Sequence, residues 1–213
     1  MKRMNYCSIL ICILFWASVG RAQNSITKKQ QLKYLPDIDV YDIHGKHTTL
    51  KQLGKNKVLF IDSWFIPCPP CFIEMGMLHK LYAKYLNNKD FCFITLCRTD
   101  SGVVKKFIAQ DTSMANYVKS YQFFSERQDF KLPVYFIEGC DSKVNHVGKQ
   151  LESFAPTDKT KCPDAQLDFV GYPTVTIFNK KGELILQKTG YDGNENVNMG
   201  DIESAIKPSL AAK

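Results

Sequence analysis

Apolar residues along this chain recur with two alternating periods. Val58-Leu59-Phe60-Ile61 and Phe91-Cys92-Phe93-Ile94-Thr95-Leu96-Cys97 are short, nearly continuous apolar runs with the length and composition of buried strands. Between them Phe72, Met75, Leu78, Leu81, Tyr82 and Tyr85 fall at helical spacing, which predicts a helix over 69–87. Downstream, Val175-Thr176-Ile177-Phe178 and the run from Glu183 to Lys188 flank the turn sequence Asn179-Lys180-Lys181-Gly182, which predicts a hairpin over 173–189. The remaining pattern predicts a hairpin at 38–50, strands at 58–63, 91–97 and 132–138, and helices near 101–110, 113–126, 143–154 and 195–206, with a loop at 155–168. Strands alternating with helices require an α/β architecture, a central sheet with helices on both faces.

Composition narrows this to one domain: 213 residues, 45% hydrophobic and 12% aromatic, can close a sizeable core. The first 22 residues read differently. Lys2 and Arg3 precede an apolar run from Ile9 to Val19, and Gly20-Arg21-Ala22 is similar to a small-x-small cleavage site, so a secretory signal cleaved after Ala22 is expected. The alternative is a retained anchor, for which the run is short. Losing Lys2, Arg3 and Arg21 with no acid takes the formal charge from +7 to +4, and no Lys/Arg cluster interleaved with aromatics argues for nucleic acid. Cys7 and Cys12 leave as well. Six cysteines remain of eight, an even count suited to a compartment where disulfides persist.

The chemistry concentrates in Trp64-Phe65-Ile66-Pro67-Cys68-Pro69-Pro70-Cys71. Cysteines at i and i+3 where a strand turns into a helix can bond to each other, and the helix N-terminus favours the thiolate of the first. The same spacing could be half of a zinc site. Asp62 is an odd residue at the end of a buried run, where an ionised carboxylate is costly. Glu74, one turn after Cys71, reads either as a solvated helix residue or as an acid tuning the dithiol. Tyr172 and Phe65 read as core or as an apolar rim for a partner's peptide. Cys92 and Cys97 lie about 16 Å apart in an extended strand and point to opposite faces, so they cannot bond each other. His44, His47, His79 and His146 show no metal-ligand cadence and read as surface or capping residues.

With these residues in view, the chain resembles the thioredoxin superfamily, specifically the exported TlpA/ResA-like thiol-disulfide oxidoreductases, over roughly residues 35–206. Leu35-Pro36-Asp37, Asp42-Ile43-His44-Gly45-Lys46 and Thr49-Leu50-Lys51-Gln52-Leu53 are similar to that family's entrance hairpin; Cys68 and Cys71 fall on its redox pair, Asp62 on its buried acid, Glu74-Met75 on the Glu-Met after the pair, and Pro173 on its cis-proline. Pro67 departs from the usual aromatic residue, and Gly76 from a common helix-bending proline.

The resemblance implies a thioredoxin-like fold: a central mixed β-sheet flanked by helices, an N-terminal β-hairpin and an enlarged central insertion at about 98–168. The domain would span 35–213, after a linker at 23–34. Cys68, Cys71, Asp62 and Pro173 would be catalytic, and Trp64, Pro67, Tyr172 and Glu74 would touch the bound protein. Cys140 and Cys162 would form a structural disulfide pinning the insertion, or alternatively a second redox pair. The implied function is reduction of envelope protein disulfides, for example in cytochrome c maturation, in the bacterial periplasm, with electrons from a membrane donor and no cofactor or metal. The alternative is a non-catalytic metal or cytochrome-assembly binding module. A peroxidase lacks support, since no Pro-x-x-x-Thr-x-x-Cys pattern occurs.

Overall fold

The computed structural model describes residues 32–127, 129–137, 166–168 and 171–212. The expected signal at 1–22, most of the linker, the helix at 143–154, Cys140, Cys162 and His146 lie outside the described residues. Residues 32–213 cluster as one compact unit.

In chain order the elements are β1 (Asp39–Asp42), β2 (His47–Thr49), α1 (Leu50–Leu53), β3 (Val58–Trp64), α2 (Pro69–Tyr85), β4 (Phe91–Cys97), α3 (Ser101–Ile108), a 3₁₀ turn (Thr112–Met114), α4 (Ala115–Ser125), β5 (Val134–Phe136), β6 (Thr174–Phe178), β7 (Leu184–Thr189) and α5 (Glu195–Ala211). The strands form one mixed sheet in the order β2-β1-β5-β4-β3-β6-β7. β3, β4 and β5 run parallel, while β6 is antiparallel to β3 and β1 antiparallel to β5. This is the α/β thioredoxin-like arrangement.

β3 is buried along its whole length, and its alternate residues feed two cores. Val58, Phe60 and Trp64 join the larger cluster with Phe72, Met75 and Leu78 of α2, Val104 and Phe107 of α3, Tyr121 of α4 and Ile202 and Ile206 of α5. Leu59 and Ile61 join a smaller cluster with Leu35, Ile38, Val40, Leu50, Ile94, Leu96, Leu167 and Phe178. Asp62 therefore belongs to the face that α2 and α5 cover.

Three boundaries differ from the sequence pattern. The end of the entrance hairpin folds into α1, because Thr49 Oγ1 accepts the Gln52 N–H at 3.1 Å as an N-cap. β5 is shorter than 132–138, with its parallel pairing to β4 limited to Thr95↔Val134 and Leu96↔Tyr135. α5 runs past 206 through Pro208, since Ile202, Ile206 and Leu210 continue one apolar stripe onto the core.

Candidate active site

β3 ends at Trp64, and four residues later Cys68 forms the N-cap of α2. Pro69 and Pro70 fill the first helical positions, where a missing N–H leaves no intrahelical bond unmade. Cys68 and Cys71 are joined by a disulfide with Cα atoms 5.2 Å apart. The Cys71 N–H donates to Cys68 Sγ at 3.3 Å, so the first sulfur sits at the helix N-terminus with a backbone donor from beyond the prolines. Both cysteines are buried, Cys68 at 3% exposure and Cys71 at 1%, so Cys68 is only slightly the more open.

The Tyr172–Pro173 and Ile66–Pro67 peptide bonds are both cis. Phe65 from the β3–α2 connection meets Tyr172 edge to face, ring centroids 5.2 Å apart at 80°, and both rings are half-buried. Burial pushes the Tyr172 phenol up to about 12, against a smaller opposing pull from Arg98. With exposed Pro69, Pro70 and Ile73 and half-buried Pro67, this pair makes an apolar surface around the disulfide.

Two acids are buried within the fold. Asp62 is 1% exposed, and neither carboxyl oxygen has a hydrogen-bond partner of good geometry among the described residues. Burial drives its carboxyl up to about 8, against a weaker contrary pull from the Ser63 N–H. Glu74 is 4% exposed with Oε2 unpartnered, and burial and the negative field of Asp62 hold it well above the ordinary carboxylate range, while Lys188 pulls it back. The ladder explains this meeting: Asp62 pairs with Val175 and Val175 with Lys188, so both ionisable side chains belong to one row across β3, β6 and β7. Lys188 Nζ also donates to Asp201 on α5 at 2.8 Å.

Two residues expected to touch the bound protein lie inside the fold. Trp64 is fully buried, and so is Glu74; neither is on the solvated surface where a docked protein would touch it. Trp64 instead stacks on Phe130, centroids 5.3 Å apart, within an aromatic cluster that includes Phe72, Phe107 and Tyr121. Three of these rings come from residues 98–168, so the enlarged segment walls the site.

His79 is likewise buried and not a surface residue. Its Nδ1 lies 2.7 Å from Met75 O, and its Nε2 accepts the Lys131 N–H at 3.2 Å, which ties the segment between α4 and β5 to α2. Burial and the nearby Arg127 and Lys131 charges lower its pKa, consistent with a neutral ring that accepts that bond. At Gly76 an added Cβ would lie 2.9 Å from Ser125 O, so the glycine admits the close crossing of α4 over α2. Its spacing from Phe72 and Met75 signalled a helix interior, not this crossing.

Cys92 pairs with Leu59 and Cys97 with Trp64 along β3–β4, on opposite faces of the sheet. Among the described residues, no cluster of three or more His, Cys, Asp and Glu is placed to hold a metal, and no helix is long and apolar enough to cross a membrane.

No protein-family model matches the chain. It is 29% identical over 136 residues to the thiol-disulfide oxidoreductase ResA of Bacillus thuringiensis subsp. konkukian, covering 62% of this chain and 68% of that protein. To ResA of Bacillus anthracis it is 32% identical over 108 residues, 48% of this chain and 61% of the relative. Among solved structures, a Chlorobium tepidum protein assigned to the DsbE thiol:disulfide interchange type superposes with a TM-score of 0.54 at 19% identity, over 84% of this chain and 96% of that one. A thiol:disulfide interchange protein from a Bacteroides species gives 0.51 at 20% identity, over 82% and 88%. The superpositions establish the fold, and the ResA relatives bear on the chemistry.

Proposed function

We propose that the chain is a TlpA/ResA-like thiol-disulfide oxidoreductase of the thioredoxin superfamily, an exported reductase of envelope protein disulfides acting through Cys68 and Cys71. The observation that carries this reading is the Cys68–Cys71 disulfide at the N-terminus of α2, just beyond the end of the strand that bears Asp62. In the reduced protein Cys68 thiolate attacks a partner disulfide: a Cys68–partner S–S bond forms, the partner's own S–S bond breaks, and its second sulfur leaves as a thiolate. Cys71, after giving its proton to the Asp62–Glu74 pair, attacks Cys68 Sγ, re-forms the intramolecular disulfide and releases the partner as a dithiol. Pro173 and the Phe65–Tyr172 rim would receive the partner's backbone as an extended strand.

The reducing direction follows from the donors. Strong oxidants of this fold stabilise their reduced form through donors to the first thiolate. Pro69 and Pro70 offer none, and the Cys71 N–H supplies one. A potential nearer about −270 mV than about −120 mV is expected. A membrane thiol-disulfide donor would keep the protein reduced, and apocytochrome c cysteine pairs are one class of substrate that fits the site.

The test is capture of partners by the Cys71→Ser variant in an envelope extract. Adducts that form through Cys68 and dissolve in dithiothreitol are expected. Absence of such adducts, together with no insulin reduction by the wild-type protein, would overturn the proposal.

A further inference from the structure

Between Trp64 and the first full turn of α2 the backbone has few ways to hold itself. Of residues 66–71, three are prolines, at 67, 69 and 70, and contribute no N–H. The Cys71 N–H is engaged by Cys68 Sγ. The connection is instead tied to the segment that follows β4. Arg98 N–H donates to Trp64 O at 3.0 Å, and the Ile66 N–H donates to Thr99 Oγ1 at 2.8 Å. The parallel β3–β4 ladder thus continues beyond its last pair, Trp64↔Cys97, and its final bond uses a side chain.

Thr99 is itself held firmly. It is fully buried, and the next residue, Asp100, caps α3 by accepting the Gly102 and Val103 N–H groups at 2.9 and 3.1 Å. Ile66 is buried too, so no water can replace the hydroxyl as acceptor. Its N–H lies one proline away from the N-cap cysteine.

We propose that Thr99 is a positioning residue of the dithiol: by accepting the Ile66 N–H, its hydroxyl fixes the proline-rich connection so that Cys68 Sγ stays on the N-terminus of α2. This rests on the redox reading above and adds to it a residue that touches neither sulfur. A connection released at Ile66 lets Cys68 Sγ drift from the Cys71 N–H and from the positive end of the helix, which removes stabilisation from the thiolate.

The experiment follows iodoacetamide alkylation of Cys68 in reduced protein across pH, for wild type, Thr99→Val, Thr99→Ala and Thr99→Ser. Valine matches the shape of threonine without its hydroxyl, and serine keeps the hydroxyl without the methyl. In Thr99→Val the pH midpoint of alkylation is expected to rise by about one unit, a roughly tenfold loss of thiolate at neutral pH. Thr99→Ser should keep the wild-type midpoint. Where valine impairs folding, the Ala and Ser variants carry the same contrast, since they differ in the hydroxyl alone. A hydroxyl-free variant that is folded and keeps the wild-type midpoint overturns the proposal; so does a serine variant shifted as far as alanine. Because alkylation needs no partner, these outcomes are separate from the redox reading, which fails instead if wild-type Cys68–Cys71 does not exchange with glutathione.

Discussion

The two faces of β3 are made by neighbouring residues of one strand, and they differ by a single substitution of chemistry. On one face Leu59 and Ile61 pack among Ile38, Val40, Leu50, Ile94 and Phe178, an apolar cluster supplied by strands, the N-terminal segment and α1. On the other, Phe60 and Trp64 pack beneath α2 and α5 with Asp62 between them. The apolar face is what a sheet core looks like when stability alone is at stake. The helix-covered face buries a carboxylate without a good hydrogen bond, adds Glu74 from α2, and lies under the dithiol. Isolated ionised carboxylates are costly to bury, so the pair holds its protons to higher pH than ordinary carboxylates do, and once one of the two protons is released the pair is a correspondingly stronger base for the Cys71 proton.

The largest effect that would break this contrast is expected from Asp62→Asn. The Asp62 carboxyl rises from an ordinary 3.8 to about 8 on folding, so between those values the folded chain holds a proton that the unfolded chain has released. Stability is therefore fully present below about pH 4 and falls as pH rises toward 8, by at most about 1.4 kcal/mol per pH unit from this group. Asparagine removes that slope. Urea unfolding should find Asp62→Asn more stable than wild type at pH 8.5, by at least about 1–3 kcal/mol, and nearly equal to it at pH 4. The same change removes the field that raises Glu74, whose own protonation should then be lost at lower pH. Release of the mixed disulfide should slow more than its formation. Parallel pH curves for the two proteins would place Asp62 outside this linkage.

What could be read from the chain, and what could not, divides along the same strand. β3, α2 and the Cys68–Cys71 pair are local patterns, an apolar run, a helical period and a fixed spacing, so they were legible without tertiary information. Glu74 was not, because a glutamate one turn into a helix is usually solvated; its burial, and the Asp62 and Lys188 charges that act on it, arise only when α2 packs on the sheet. Thr99 carries no motif, and its role arises from the loop that it faces across β3–β4. Phe107, Tyr121 and Phe130 read as three separate aromatics and become one wall only when the enlarged segment folds back on Trp64.

A second, smaller break concerns the helical layer above the acids. Alanine at Gly76 gains about 1 kcal/mol of helix propensity in a helix interior, so on an isolated α2 it would stabilise. Here its Cβ would meet Ser125 O at 2.9 Å, and a backbone carbonyl yields only if α4 moves. Overpacking of this kind costs about 1–3 kcal/mol, so Gly76→Ala is expected to be destabilising in urea unfolding. A stabilised variant would show that α4 rests loosely on α2.

The smallest effect is expected on the apolar face itself, at Cys92. Its partner across the ladder is Leu59, it packs half-buried against the apolar cluster, and it is a free thiol. Burial pushes that thiol up, with Lys57 opposing weakly, so at neutral pH it stays protonated and is a poor nucleophile. Cys92→Ala removes one sulfur from a site that is not fully enclosed, and the expected loss is about 0.5–1.5 kcal/mol, comparable with deleting a single methyl group from a core. Insulin reduction should be unchanged, because neither Asp62 nor the dithiol lies on that face. In reduced wild-type protein at pH 7, iodoacetamide should label Cys92 at least about tenfold more slowly than Cys68, the difference set by thiolate content, since Cys92 is the more exposed of the two. Rapid labelling of Cys92, or partner adducts through it in the Cys71→Ser capture, would mean that redox chemistry is not confined to the helix-covered face of β3.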